Sequence, residues 1–195
     1  MSLKQKVIAI DGPSASGKGT VASRVAEALG FLYLDSGALY RLTALYAQKQ
    51  NVAWTDEDAV STLAETLPAQ FEGSVVLLNG EDVSEQIRTE AIGMGASAVA
   101  QLPKVRTALL QRQRDFLTEK GLVADGRDIG SVIFPDAALK IFLTASANVR
   151  AQRRAKQLGI PCEGVAFERI LSDIEARDEA DRRRPIAPLK QLPDA

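Results

Sequence analysis

Four short apolar runs alternate along the chain with longer stretches of helical period. Val7-Ile8-Ala9-Ile10 is continuous, with three of its four residues β-branched, and a glycine-rich stretch follows it, which predicts a buried strand of a parallel sheet. From Thr20 the pattern changes to a stripe of Val21, Ala22, Val25, Ala28 and Leu29, with Gly30 placed to cap the helix end. Phe31–Leu34 reads as a second strand, closing on Asp35-Ser36-Gly37, and a helix follows from Ala38 to about Gln50. Alternating strands and helices of this kind predict a doubly wound α/β fold.

The middle of the chain is less regular. Asp56–Leu67 has helical period, and Ser74–Leu78, the turn Asn79-Gly80 and Glu81–Val83 form a hairpin signal. Residues of about 62–90 are therefore expected to be a small insertion in a core of about 5–61 and 91–195. Two helices flank Pro103, which suits the first position of the second one. Gly121–Ala124 predicts a third core strand, ending in Asp125-Gly126-Arg127-Asp128, and Ala138–Leu143 a fourth. A highly charged helical region then runs from Asn148 to Arg184, with no repeat and no low-complexity tract.

Composition narrows the chemistry. The 195 residues are 46% hydrophobic and 25% charged, with no apolar run near the ~20 residues a membrane-crossing helix requires, so no membrane partner is expected. A single cysteine, Cys162, suits a reducing cytoplasm, and its plain reading is an incidental thiol. There is no histidine, which removes Ser-His-Asp and Cys-His catalysis and His-ligated zinc. Lysine, arginine, carboxylates and backbone amides remain, the set used in phosphoryl transfer. A net charge of −1 gives no steering toward nucleic acid.

Gly12-Pro13-Ser14-Ala15-Ser16-Gly17-Lys18 fits the phosphate-binding pattern G-x-x-x-x-G-K and lies between a strand and a helix, the context that pattern requires. Its glycines let successive amides face an anion, the helix dipole adds to them, and Lys18 brings a mobile positive charge. The Ser or Thr that usually follows the lysine is replaced by Gly19, with Thr20 one place later, so the metal ligands stay unassigned. A second glycine pattern, Gly93-x-Gly95-x-x-Ala98, mimics a dinucleotide fingerprint but has no strand before it, so close helix packing is the better reading.

Ile10–Ser14 with Gly17–Thr20, then Asp35–Arg41, Asp125–Gly130 and Arg177–Arg182, in order and at compatible spacing, resemble the motifs of bacterial cytidylate kinases. The likeness runs from about residue 5 to the end. It implies a nucleoside monophosphate kinase fold with a small inserted monophosphate-binding subdomain and a helical lid at about 148–165. It also implies transfer of the γ-phosphoryl of ATP to CMP or dCMP with Mg²⁺, and the enzyme is expected to be a cytoplasmic monomer. Gly12–Thr20 would hold ATP, and Lys18, Arg127 and Arg184 would be catalytic. By the same resemblance Arg41, Arg127 and Arg184 hold the CMP phosphate, and Ser97, Arg106 and Asp128 read the cytosine. Asp181, with Arg177, holds the sugar, and Asp35 lies in the substrate motif. Arg150, Arg153 and Arg154 are similar to lid arginines that close over ATP.

Other readings stay open at this point. An exposed basic face serves equally for the lid arginines, and ion pairs with Asp173, Glu175, Asp178, Glu179 and Asp181 for Arg177 and Arg182–Arg184. Another monophosphate or a metabolite hydroxyl could be the acceptor, the chain could bind nucleotide without turning it over, and Arg182–Arg184 could touch nucleic acid. Relatives usually continue through one more strand and helix, which are expected to be absent here.

Overall fold

In a computed structural model, residues 6–73 and 75–195 are described. Ser74, expected to open the hairpin strand, and residues 1–5 lie outside them. The chain divides into two compact units, residues 1–34 with 116–195, and residues 35–115.

The first unit is built on a four-stranded sheet. Its strands are β1 (Val7–Asp11), β2 (Leu32–Asp35), β6 (Leu122–Gly126) and β7 (Leu139–Phe142), in the order β2-β6-β1-β7. β1 runs parallel to both neighbours, with Val7 opposite Leu122, Asp11 opposite Gly126, and Asp11 opposite Phe142 on the other side. A strand flanked on both sides and covered on both faces must be apolar throughout, and Val7, Ala9 and Ile10 are fully buried. Helix α1 (Lys18–Leu29) lays Ala22 and Ala26 against Ile10 and Val123. Gly30 ends it, its amide directed at the Ala26 and Glu27 carbonyls. The expected helical region 148–184 is two helices, α6 (Ala147–Leu158) and α7 (Val165–Arg183). They share a small core of Ala151, Ala155, Phe167 and Ile174.

The second unit contains helices α2 (Ser36–Lys49), α3 (Glu57–Glu65), α4 (Glu90–Val99) and α5 (Pro103–Arg114). It also carries the antiparallel sheet of β3 (Ala69–Glu72), β4 (Val75–Leu78) and β5 (Glu81–Asp82), within the 62–90 stretch. Asn79 and Gly80 turn β4 into β5 with positive φ values of 52° and 78°, as the Asn-Gly signal requires. Pro103 opens α5. Among the described residues no helix is long and apolar enough to cross a membrane.

The Gly93/Gly95 pattern is a packing feature. A Cβ on Gly95 would come within 2.5 Å of the Trp54 ring, and that ring is pinned by its indole N–H on the Ala44 carbonyl at 2.9 Å. Gly95→Ala therefore lowers stability by about 1–3 kcal/mol through overpacking. The check is a fall in the urea midpoint at constant m.

Candidate active site

The phosphate loop begins where β1 ends. The Gly12 amide donates to the Gly126 carbonyl at 3.3 Å, so the loop and the Asp-Gly-Arg-Asp motif leave the sheet side by side. A Cβ on Gly12 would lie 2.1 Å from the Leu143 carbonyl oxygen, which explains glycine there as a matter of space. At the far end Gly17, at φ 95°, turns the chain into α1 and provides no side-chain cap. The leading amides of α1 therefore face the loop without a competing side-chain acceptor, and its first turn contains no acidic residue. Ala15 also has a positive φ, 56°, a cost that loops of this kind accept where the backbone must curve around a ligand.

Lys18 is the first residue of α1, two positions earlier than the expected start. It is 9% exposed, and its ammonium reaches back to the Pro13 carbonyl at 3.3 Å. The Ser14 and Ser16 hydroxyl oxygens are buried with no hydrogen-bond partner. Two buried hydroxyls and a buried ammonium within one loop are groups of the kind that can donate to an anion. Arg153 donates to the Ser16 carbonyl at 2.9 Å, so α6 also touches this loop.

Next to the loop, Asp125 at the end of β6 accepts from the Tyr33 hydroxyl at 2.6 Å, and a Cβ on Gly19 would lie 3.8 Å from its Oδ1. Asp128 is buried, at 3% exposure. Arg127 donates from Nε to Asp181 Oδ2 at 2.6 Å, tying the β6 motif to α7. Arg184 is buried just past α7 and donates to the Ala187 carbonyl at 2.7 Å. Arg177 is half-buried on α7. The first unit thus brings together Gly12–Thr20, Arg127, Asp128, Arg177, Asp181 and Arg184 at the ends of its parallel strands and on α7. The open side of such a sheet, beyond the strand C-termini, is where ligands bind in α/β folds.

Arg150 is differently employed. It is 3% exposed, with Nη1 and Nη2 on the two Asp178 oxygens, Nε on the Ala145 carbonyl at 2.9 Å, and Nη1 also on the Ser14 carbonyl at 3.2 Å. Of the expected α7 ion pairs, Arg182 lies 3.7 Å from Asp178 and 3.6 Å from Glu179, and Arg183 pairs with Glu179. A cavity of about 670 Å³ opens at Pro13, walled by Thr144, Ser146, Arg150, Glu175 and Arg182.

The second unit places its own candidates on three helices. Asp35 caps α2, accepting from the Ala38 amide at 3.1 Å. Arg41 donates to the Ile87 carbonyl at 3.1 Å. Arg106 on α5 lies 5.7 Å above the Tyr40 ring, one residue before Arg41, and donates to the Ala100 carbonyl at 3.2 Å. Ser97 on α4 bonds back to the Gly93 carbonyl at 3.2 Å, and α4 packs against α2.

The family profile for cytidylate kinase matches residues 8–195. The chain belongs to the cytidylate kinase family. A cytidylate kinase of Neisseria meningitidis is 80% identical over 98% of this chain and 88% of its own length. One of Chromobacterium violaceum is 60% identical over 97% and 85%, and one of Pseudomonas syringae 55% over 100% and 88%. The α/β architecture with a parallel sheet is the one expected for this kinase.

Three features of the kinase were not singled out from the sequence. These are the Tyr33–Asp125 bond, the Arg150–Asp178 pair, and Asp11, whose carboxylate accepts two backbone amides. A tyrosine on one strand and a carboxylate on another give no local signal that they will meet. Asp11 could have been suspected, as an acidic residue closing an apolar strand.

Proposed function

We infer that this kinase transfers the γ-phosphoryl group of ATP to CMP or dCMP, yielding CDP or dCDP, by direct in-line displacement. The observation that carries this reading is the bond from Gly12 to Gly126, which seats the phosphate loop beside the motif that contains Arg127 and Asp128. In-line transfer needs two anionic groups held end to end, and two loops rooted on adjacent strands would favour that alignment.

Gly12–Thr20 would cradle the donor phosphates through backbone amides and the Ser14 and Ser16 hydroxyls, with Lys18 neutralising charge on the transferred group. Arg41, Arg127 and Arg184 would hold the acceptor phosphate. The cytosine amine is a donor suited to Asp128, and its O2 and N3 are acceptors suited to Arg106 and Ser97. Asp181 engages Arg127 through one oxygen, and its other can accept a sugar hydroxyl beside Arg177. Asp35, as the α2 cap, would set the approach of Arg41 to the substrate. An acceptor phosphate is already anionic at neutral pH, so no general base is required, in keeping with a chain without histidine. In this reading the kinase works as a monomer and without nucleic acid.

Among the described residues no three His, Cys, Asp or Glu side chains form a metal cage. Mg²⁺ would come with the triphosphate, and its chemistry there would be to screen phosphate charge. Asp125, fixed by Tyr33 next to Gly19, is the carboxylate suited to hold it.

An ADP-release assay with CMP, dCMP, UMP, AMP and shikimate as acceptors tests the assignment. CMP or dCMP should exceed the others in kcat/KM by at least about tenfold, the discrimination one good base contact supplies. Equal turnover of AMP or UMP would overturn the cytosine reading, and ADP release with none of them would leave a nucleotide-binding module.

A further inference from the structure

Asp11 has no part in the roles above. It closes β1, immediately before Gly12, and is 7% exposed. Its Oδ1 accepts from the Ile129 amide and its Oδ2 from the Gly130 amide, each at 2.8 Å. Those amides open the π-helical turn Ile129–Ile133, which follows Arg127 and Asp128 directly. The turn is wound back on the same motif, since the Val132 and Ile133 amides both donate to the Asp128 carbonyl, at 2.9 and 3.2 Å.

The main chain of Asp11 is fixed separately. It lies in register with Gly126 and Phe142, and its carbonyl accepts from the Leu143 amide at 2.8 Å. The backbone thus sets the root of the phosphate loop, while the side chain sets the turn beyond the β6 motif. Keeping a charge here opposes folding: burial raises the Asp11 pKa from its ordinary 3.8, Asp128 adds to the rise, and the two amides and Arg127 draw it down. Only an ionised carboxylate offers two acceptor oxygens to two amides, because an asparagine of the same shape would present one of them with a donor.

We propose that Asp11 is a positioning residue that sets Arg127 and Asp128 in register with the phosphate loop. This rests on the acceptor-binding roles proposed for those two residues. Its physical basis is the tight tolerance of phosphoryl transfer, in which a displacement of about 1 Å can reduce the rate by ~10²-fold.

The test is Asp11→Asn, with Arg127→Ala in the same assay. In Asp11→Asn the KM for CMP should rise and kcat fall by about 10- to 100-fold. Binding of a fluorescent ATP analogue without CMP should be little changed, because the ladder bonds of β1 remain. If Arg127→Ala is impaired but Asp11→Asn behaves as wild type, this inference is overturned and the functional reading survives. If Arg127→Ala itself retains wild-type kinetics, the acceptor reading fails and this inference with it. A parallel loss of ATP and CMP affinity together with a lower Tm would make Asp11 merely structural. Should Asp11→Asn not fold, Asp11→Glu serves, because it keeps two acceptor oxygens but moves them one methylene further from β1, so the Ile129 and Gly130 amides must shift with them. A several-fold rise in the KM for CMP at constant ATP affinity supports the proposal, and unchanged CMP kinetics defeats it.

Discussion

Lys18→Ala lowers kcat by at least about 100-fold, the scale for removing one preorganised charge donor from a transition state, while the protein stays folded. Lys18 is 9% exposed and its ammonium is folded back to the Pro13 carbonyl, so it is held over the phosphate loop. A charge kept in a site of low dielectric acts far more strongly on a phosphoryl group than one in water. Alanine is the best helix former, and the first turn of α1 loses no side-chain cap by the change, so the melting temperature should stay near that of the wild type. Lys18→Arg should not restore turnover, since a planar fork does not replace a compact ammonium. A rise in the KM for ATP at unchanged kcat would mean that Lys18 binds ground state and transition state alike, and the catalytic role would have to be withdrawn.

Asp178→Ala is the substitution expected to damage stability most, by about 3–5 kcal/mol. Asp178 and Arg150 have side chains only 4% and 3% exposed, and both carboxylate oxygens are engaged by the guanidinium. Removing the anion strands a buried cation that still holds the Ser14 and Ala145 carbonyls. The double change Arg150→Met with Asp178→Leu should recover most of the loss, because a buried pair is seldom better than apolar packing. Urea unfolding of the single and double variants measures both effects. A single-variant loss below about 1 kcal/mol, the range of exposed pairs, would show that water reaches this site. The double variant should nonetheless bind ATP more weakly than wild type, because the Ser14 carbonyl loses its tether to α6.

What could be read in advance was local. β1, α1 with its Gly30 cap, the Asn79-Gly80 turn and Pro103 at the start of α5 depend on residues within a few positions of one another, and the structure has them all. β3 was not foreseen. Ala69-Gln70-Phe71-Glu72 offers one large apolar residue, and the segment is a strand because it pairs with β4 from Ala69↔Leu78 to Glu72↔Val75. The π-helical turn was missed for a similar reason, since its amides are held by a carboxylate 118 and 119 positions away. In the site, the phosphate loop was legible because its residues are contiguous. The arginines were legible as a group, but not which carboxylate each would meet. Arg150 finds Asp178, Arg127 finds Asp181, and Arg182 and Arg183 turn to Glu179, choices made by tertiary packing.

The first unit is discontinuous, and this has a consequence for biosynthesis. β1 lies between β6 and β7, so its ladder partner for Val7 is Leu122. A chain leaving the ribosome presents Val7–Asp11 early and has nothing to pair it with until the whole of residues 35–115 has been translated. The contiguous segment is complete first, and the apolar N-terminal strand must wait, which makes it the stretch that a nascent-chain chaperone has most reason to cover.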